Sequence, residues 1–150
     1  MEFRPLEILL VDDNEDDITI FREALKNNPD IELVGTAQDG EEAMAFLRHE
    51  TGYEKARVPD LVLLDINMPK MNGFEVLKEM KEQPRFKSLP VIIFTTSERE
   101  EDIVRSYGDG ACSFISKPVD FTDLEKLIDA LKSYWTTVSR IPRHESETAT

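Results

Sequence analysis

The run Leu6–Asp17, LEILLVDDNEDD, passes from apolar to acidic in a single step. Leu6–Val11 is a short apolar run of the kind that parallel sheets bury on both faces. Asp12 and Asp13 end it. Asn14 then caps a helix whose first turn carries Glu15, Asp16 and Asp17, the charge that suits a helix N-terminus. Ile18, Phe21 and Leu25 mark one face of that helix, and Pro29 lies beyond its end.

The same alternation recurs four more times. Ile31–Ala37 reads as a strand, and Asp39–Gly40 opens a helix carrying Ala43, Phe46 and Leu47. His49–Pro59, HETGYEKARVP, is polar and reads as a loop longer than such connections usually are. Leu61–Leu64 is a third strand, ending at Asp65, and Ile66–Gly73 is a loop. Phe74, Leu77 and Met80 give the next helix its face. Val91–Phe94 is a fourth strand, ending at Thr95. Ser97 and Glu100 have capping-box spacing for a helix through Tyr107, stopped by Gly108 and Gly110. Ser113–Ser116 is a short fifth strand that runs into Lys117–Pro118. The last helix starts near Thr122, with Glu125 completing a second capping box. Leu124, Leu127, Ile128, Leu131, Trp135 and Val138 keep helical spacing to about Ser139. Residues 1–139 read as one domain, and residues 140–150 as a polar, disordered tail.

Five βα units in a row require a parallel sheet with helices on both faces, a doubly wound α/β fold. Ligands of such sheets bind at the carboxyl ends of the strands. Asp12, Asp13, Asp65, Thr95 and Lys117 each follow an apolar strand directly, so all five converge on one edge.

Composition narrows the function. The chain has 150 residues, the size of one domain, and 18 basic against 31 acidic residues give a net charge of −13. Such a chain is not drawn to nucleic-acid phosphates or anionic membranes. The lone Cys112 excludes an intrachain disulfide and reads as a small buried apolar residue. The N-terminal apolar run is too short for a signal peptide, and no run reaches the ~18 residues of a membrane span. The expected location is the cytoplasm.

Three carboxylates in one cleft repel each other until protons or a cation intervene. Oxygen ligands alone suit a hard ion such as Mg²⁺, which takes one or two carboxylates, waters and a phosphate. A lysine and a hydroxyl opposite would hold further phosphoryl oxygens, and a carboxylate can itself accept the phosphoryl group.

Here the sequence resembles the receiver domains of two-component response regulators. ILLVDDNEDD, LVLLDINMPKMNG, VIIFTTS and FISKP match the family's signatures in order, and the resemblance covers Glu7 to about Leu131. It implies a flavodoxin-like sheet of strand order 2-1-3-4-5 and a protein that signals rather than an enzyme. It makes Asp65 the phosphoacceptor. Asp13, Asp65 and the Asn67 carbonyl would bind Mg²⁺, with Asp12 acting mainly through water. Lys117, in a cis bond to Pro118, would pair with a phosphoryl oxygen and Thr95 would donate its hydroxyl to the group. Phe114 matches the aromatic switch, acting with Thr95. Asn67 and Ser97 stand where the family tunes dephosphorylation, and Thr96 is bulkier than the small residue common there.

The long loop His49–Pro59, the EDIVRSY run at Glu101–Tyr107 and the extended last helix resemble single-domain regulators that serve bacterial phytochromes. The implied partner is a sensor histidine kinase, in that subgroup a phytochrome. Few residues follow Ser139, so no output module is expected. The fourth helix, fifth strand and extended fifth helix, with Ile103, Tyr107, Tyr134, Trp135 and Val138, are expected to form a homodimer. The alternative is a phosphatase of the haloacid-dehalogenase type. That chemistry needs an acid–base Asp two residues after the nucleophile, where Asn67 stands. A flavodoxin-like cofactor binder is disfavoured by the acidic first loop, which repels phosphate.

Overall fold

The structure is a computed structural model, and it describes residues 5–135. Strands β1 (Leu6–Val11), β2 (Ile31–Ala37), β3 (Leu61–Leu64), β4 (Val91–Thr95) and β5 (Ser113–Ser116) alternate with five helices. The helices are α1 (Glu15–Leu25), α2 (Gly40–Leu47), α3 (Gly73–Glu82), α4 (Glu100–Gly108) and α5 (Phe121–Ser133). All strand pairs are parallel, in the order β2-β1-β3-β4-β5. The doubly wound fold and the strand order expected from the sequence are both present.

Side chains alternate between the two faces of the sheet, and each set finds its own helices. Leu9, Val11, Val62, Leu64, Val91 and Ile93 pack with Met44, Phe46, Val76 and Leu77 of α2 and α3. Leu6, Ile8, Leu10, Leu61, Leu63 and Phe94 pack with Ile18, Phe21, Leu124 and Ile128 of α1 and α5. Burial of each large aliphatic side chain contributes about 1.5–3 kcal/mol. This fixes the strands and so the positions of the residues at their carboxyl ends. Helix α4 differs, since Ser106 is its one buried residue.

Local capping explains four helix starts, those of α1, α2, α3 and α5. Asn14 accepts from the backbone of Asp16 and Asp17, and Asp39 accepts from Glu42. Asn72 and Glu75 form a reciprocal capping box at α3. The two boxes expected at Ser97/Glu100 and Thr122/Glu125 are absent. Helix α4 starts after Arg99 with no side-chain cap: the Ser97 hydroxyl donates to the Asp102 carboxylate at 2.6 Å and accepts from the Arg99 N–H at 3.3 Å. Helix α5 starts earlier, with Asp120 accepting from the Asp123 N–H.

Two further expectations are corrected. Cys112 is exposed, because it enters β5, the edge strand of the sheet. The Lys117–Pro118 bond is trans, the isomer that X–Pro bonds prefer by about 0.5–1 kcal/mol. The expected helical extension to Ser139, with Val138, and the tail at 140–150 lie outside the described residues. Among the described residues, no helix is long and apolar enough to cross a membrane.

The long loop is present between α2 and β3. Tyr53 packs on the Phe46 ring at 5.6 Å. Arg57 pairs with the buried Glu7 of β1 and, at 3.0 Å, with Glu32 of β2. These contacts stitch the loop to the amino ends of the strands, opposite the edge that carries the polar residues.

Candidate phosphoryl-acceptor site

Four strand ends build the site. The strands must stop where apolar side chains give way to carboxylates, and parallel pairing brings those stops to one edge. Asp65 N–H donates to the Val11 carbonyl at 2.9 Å, and Lys117 N–H donates to the Thr95 carbonyl at 2.8 Å, so the ladder runs on into the site. Asp12, Asp65 and Thr95 are buried, whereas Asp13 is exposed.

Lys117 organises the carboxylates. Its ammonium lies 2.6 Å from Asp12 Oδ2, 2.9 Å from Asp65 Oδ2 and 3.0 Å from Asp17 Oδ2. The other oxygens of the two buried carboxylates take backbone donors. Asp12 Oδ1 accepts from Asn14 N–H at 2.9 Å, and Asp65 Oδ1 accepts from Asn67 N–H at 3.3 Å. Burial pushes the Asp12 carboxyl above its ordinary range, and the Lys117 and Asn14 bonds offset this only in part. Burial works against the Lys117 ammonium too, but its bonds to Asp12, Asp65 and Asp17 outweigh burial and raise it well above the lysine range.

Asp12, Asp13 and Asp65 each offer a carboxylate oxygen, all within 4.8 Å of one another. An all-oxygen set of this kind fits a hard divalent cation, and exposed Asp13 leaves one side open to the waters such an ion keeps. Asn67 is exposed beside the cluster. Thr95 Oγ1 accepts from Ser97 N–H at 3.4 Å, which holds the hydroxyl at the end of β4. Phe114 is half-buried against the α2–α3 side of the core, and its N–H donates to Tyr107 Oη at 3.3 Å.

Asp12, Asp65 and Lys117 are thus in direct contact, as the strand-end rule required, with Asp13 beside them. Two participants were not legible as such. Asp17 reads in the sequence as one more acid in a helix first turn, yet its side chain reaches Lys117. Gly73 reads as a loop residue, yet it lies against the Asp65 backbone. The N-G pair before an amphipathic helix is a weak signal for such a close approach.

Comparison with known proteins agrees with this geometry. The response regulator receiver domain family matches residues 8–129. Response regulator Rcp1 of Synechocystis sp. is 39% identical over 139 residues, covering 92% of this chain and 94% of that protein. The phosphorylated cyanobacterial phytochrome response regulator RcpA superposes with a TM-score of 0.85 at 39% identity, covering 93% of this chain and 100% of that chain. The Mn²⁺-bound form of Rcp1 superposes with a TM-score of 0.81 at 38% identity, covering 93% and 100%. With the fold, the strand-end carboxylates and a family match across most of its length, this chain belongs to the response regulator receiver domain family.

Proposed function

We propose that the protein accepts a phosphoryl group on Asp65 from a sensor histidine kinase and signals through changed protein contacts. The observation that carries this reading is the Lys117 ammonium seated between Asp65 and Asp12 at the ends of separate strands. An Asp65 carboxylate oxygen attacks phosphorus, and the P–N bond of the donor phosphohistidine breaks with its electron pair left on the imidazole. Lys117 then turns an N–H to a phosphoryl oxygen, and the Thr95 hydroxyl donates to another. Asp12, Asp13, Asp65 and the Asn67 carbonyl would hold Mg²⁺, which neutralises phosphoryl charge when bound. The protein is a signalling acceptor rather than a turnover enzyme.

Thr95 and Phe114 act as the switch pair. Thr95 moves toward the phosphoryl group, and half-buried Phe114 turns further inward. Helix α4 is suited to read this change, because little of it is buried and Val104 and Tyr107 are exposed. The kinase docks at the mouth of the site, where exposed Ile20, Val119 and Phe121 surround the cavity beside Lys117. A bacteriophytochrome is the proposed kinase, on the likeness to the phytochrome response regulator RcpA. A homodimer through α4, β5 and α5 is the proposed assembly.

The test is phosphotransfer from autophosphorylated histidine kinases, phytochrome kinases among them, scored by initial rate. Preference for a phytochrome kinase supports the reading. Transfer that survives unchanged in Asp65→Asn contradicts it.

A further inference from the structure

The Lys117 ammonium has three N–H donors, and three carboxylates take them. Two belong to the strand-end site. The third, Asp17, comes from the first turn of α1, 100 positions along the chain from Lys117. Its backbone N–H is fixed by Asn14 Oδ1 at 3.1 Å, so the turn that carries it is held by the helix cap. Asp17 stands apart from the Asp12, Asp13 and Asp65 cluster and faces the cavity lined by Ile20, Phe94 and Pro118. Its side chain is 37% exposed, whereas Asp12 and Asp65 lie beneath it. As a third anion, Asp17 draws on the Lys117 charge that the two buried carboxylates share.

We propose that Asp17 is a positioning residue for phosphoryl transfer: it holds the Lys117 ammonium on the α1 side and competes with the incoming phosphoryl group for it. This rests on Asp65 being the acceptor. In the phosphorylated protein one Lys117 N–H goes to a phosphoryl oxygen, and that donor is drawn from carboxylates already using it. A half-exposed ion pair is the weakest of the three, so Asp17 is the partner that yields. Its release leaves the backbone cap of α1 in place and changes only the Asp17 side chain, at the edge of the cavity that Ile20 also lines.

The experiment follows aspartyl-phosphate formation on the full chain, with acetyl phosphate and saturating Mg²⁺. Asp17→Asn, Asp17→Glu, Lys117→Ala and the Asp17→Asn/Lys117→Ala double variant are compared with the parent, and Asp65→Asn serves as blank. Asp17→Asn is expected to label about three- to fivefold faster than the parent, the scale of a part-exposed ion pair. Asp17→Glu, which keeps the charge, stays within about twofold of the parent, as does the calorimetric Mg²⁺ affinity of Asp17→Asn. In the Lys117→Ala background the acceleration disappears, since the pair acts as a unit. An unchanged rate in Asp17→Asn overturns the inference while leaving Asp65 as acceptor. So does an acceleration that persists without Lys117, or one matched by a change in Mg²⁺ affinity. A parent that takes up no label overturns the acceptor reading and this inference with it.

Discussion

Gly73 lies directly against the backbone of Asp65. A Cβ built on Gly73 would stand 2.8 Å from the Ile66 Cα and 2.9 Å from the Asp65 carbonyl carbon, and closer still to its oxygen. The Gly73 N–H donates to the Ile66 carbonyl at 2.9 Å, closing the loop from Asp65 to α3. These contacts are backbone on both sides, so neither can swing away. Gly73→Ala is expected to destabilise the fold by about 1–3 kcal/mol in urea titrations and to slow labelling of Asp65 at least severalfold. Gly108→Ala is the control, because nothing lies within 4 Å of its Cβ position. A Gly73→Ala protein as stable and reactive as the parent contradicts this packing.

Asp12 sets a pH dependence. Its folded carboxyl holds a proton above the ordinary 3.8, with burial as the leading cause. Above that value the folded state keeps a proton that the unfolded chain has lost, so stability falls as pH rises until the folded carboxyl has ionised too. Lys117 is raised as well, but its contribution is lost only above 10.5, far from this range. Metal-free parent is therefore expected to lose stability relative to Asp12→Asn as pH rises from about 4, at a slope of up to ~1.4 kcal/mol per pH unit. Mg²⁺ should raise the parent's melting temperature more at neutral than at acid pH, because its ligands must be ionised. A parent that gains stability over Asp12→Asn as pH rises, or a melting curve blind to Mg²⁺, contradicts the acidic pocket.

Much of the fold was legible because β1, β3 and β4 are largely apolar runs that end at a polar residue. The run LVLLD needs no tertiary information to be read as a buried strand ending at Asp65. The convergence of Asp12, Asp65 and Lys117 on one edge followed from their places at strand ends, while their roles came from the resemblance to receiver domains. The place of Asp17 did not follow, because a first-turn acid satisfies the helix dipole whether or not it meets a lysine 100 positions away. The Ser97/Glu100 box failed for a related reason. The Ser97 hydroxyl donates to Asp102 and accepts from the Arg99 N–H rather than from that of Glu100, and local spacing does not show that choice.

Arg57 anchors the long loop at the other end of the sheet. It pairs with Glu7, which is buried on β1, and with Glu32. Arg57 itself is more than half exposed, which screens the pair, so Arg57→Ala is expected to cost only about 1–2 kcal/mol. Labelling of Asp65 should stay within about twofold of the parent. Loss of phosphorylation with retained stability would show that the loop serves the site instead.

Self-association places a different demand on α5. Trp135 is half-buried against the α1–α5 side of the core and meets Tyr134 edge-on at 5.3 Å. Tyr134 is 52% exposed and Tyr107 of α4 is 51% exposed. Light scattering is expected to show a dimer that Tyr134→Ala and Tyr107→Ala weaken without loss of stability. Trp135→Ala should harm fold and dimer together. A monomer at tens of micromolar, with and without beryllofluoride, contradicts the dimer.

Chemical trapping of the acceptor tests the central claim most directly. After reaction with acetyl phosphate and Mg²⁺, borohydride reduces an aspartyl phosphate to homoserine, which peptide mass spectrometry locates. The expected result is homoserine at position 65 in the parent, none there in Asp65→Asn, and a slower yield in Asp13→Asn and Lys117→Ala. Homoserine at Asp12, Asp13 or Asp17 instead, or none in a folded parent that binds Mg²⁺, would contradict the assignment of Asp65 as phosphoacceptor.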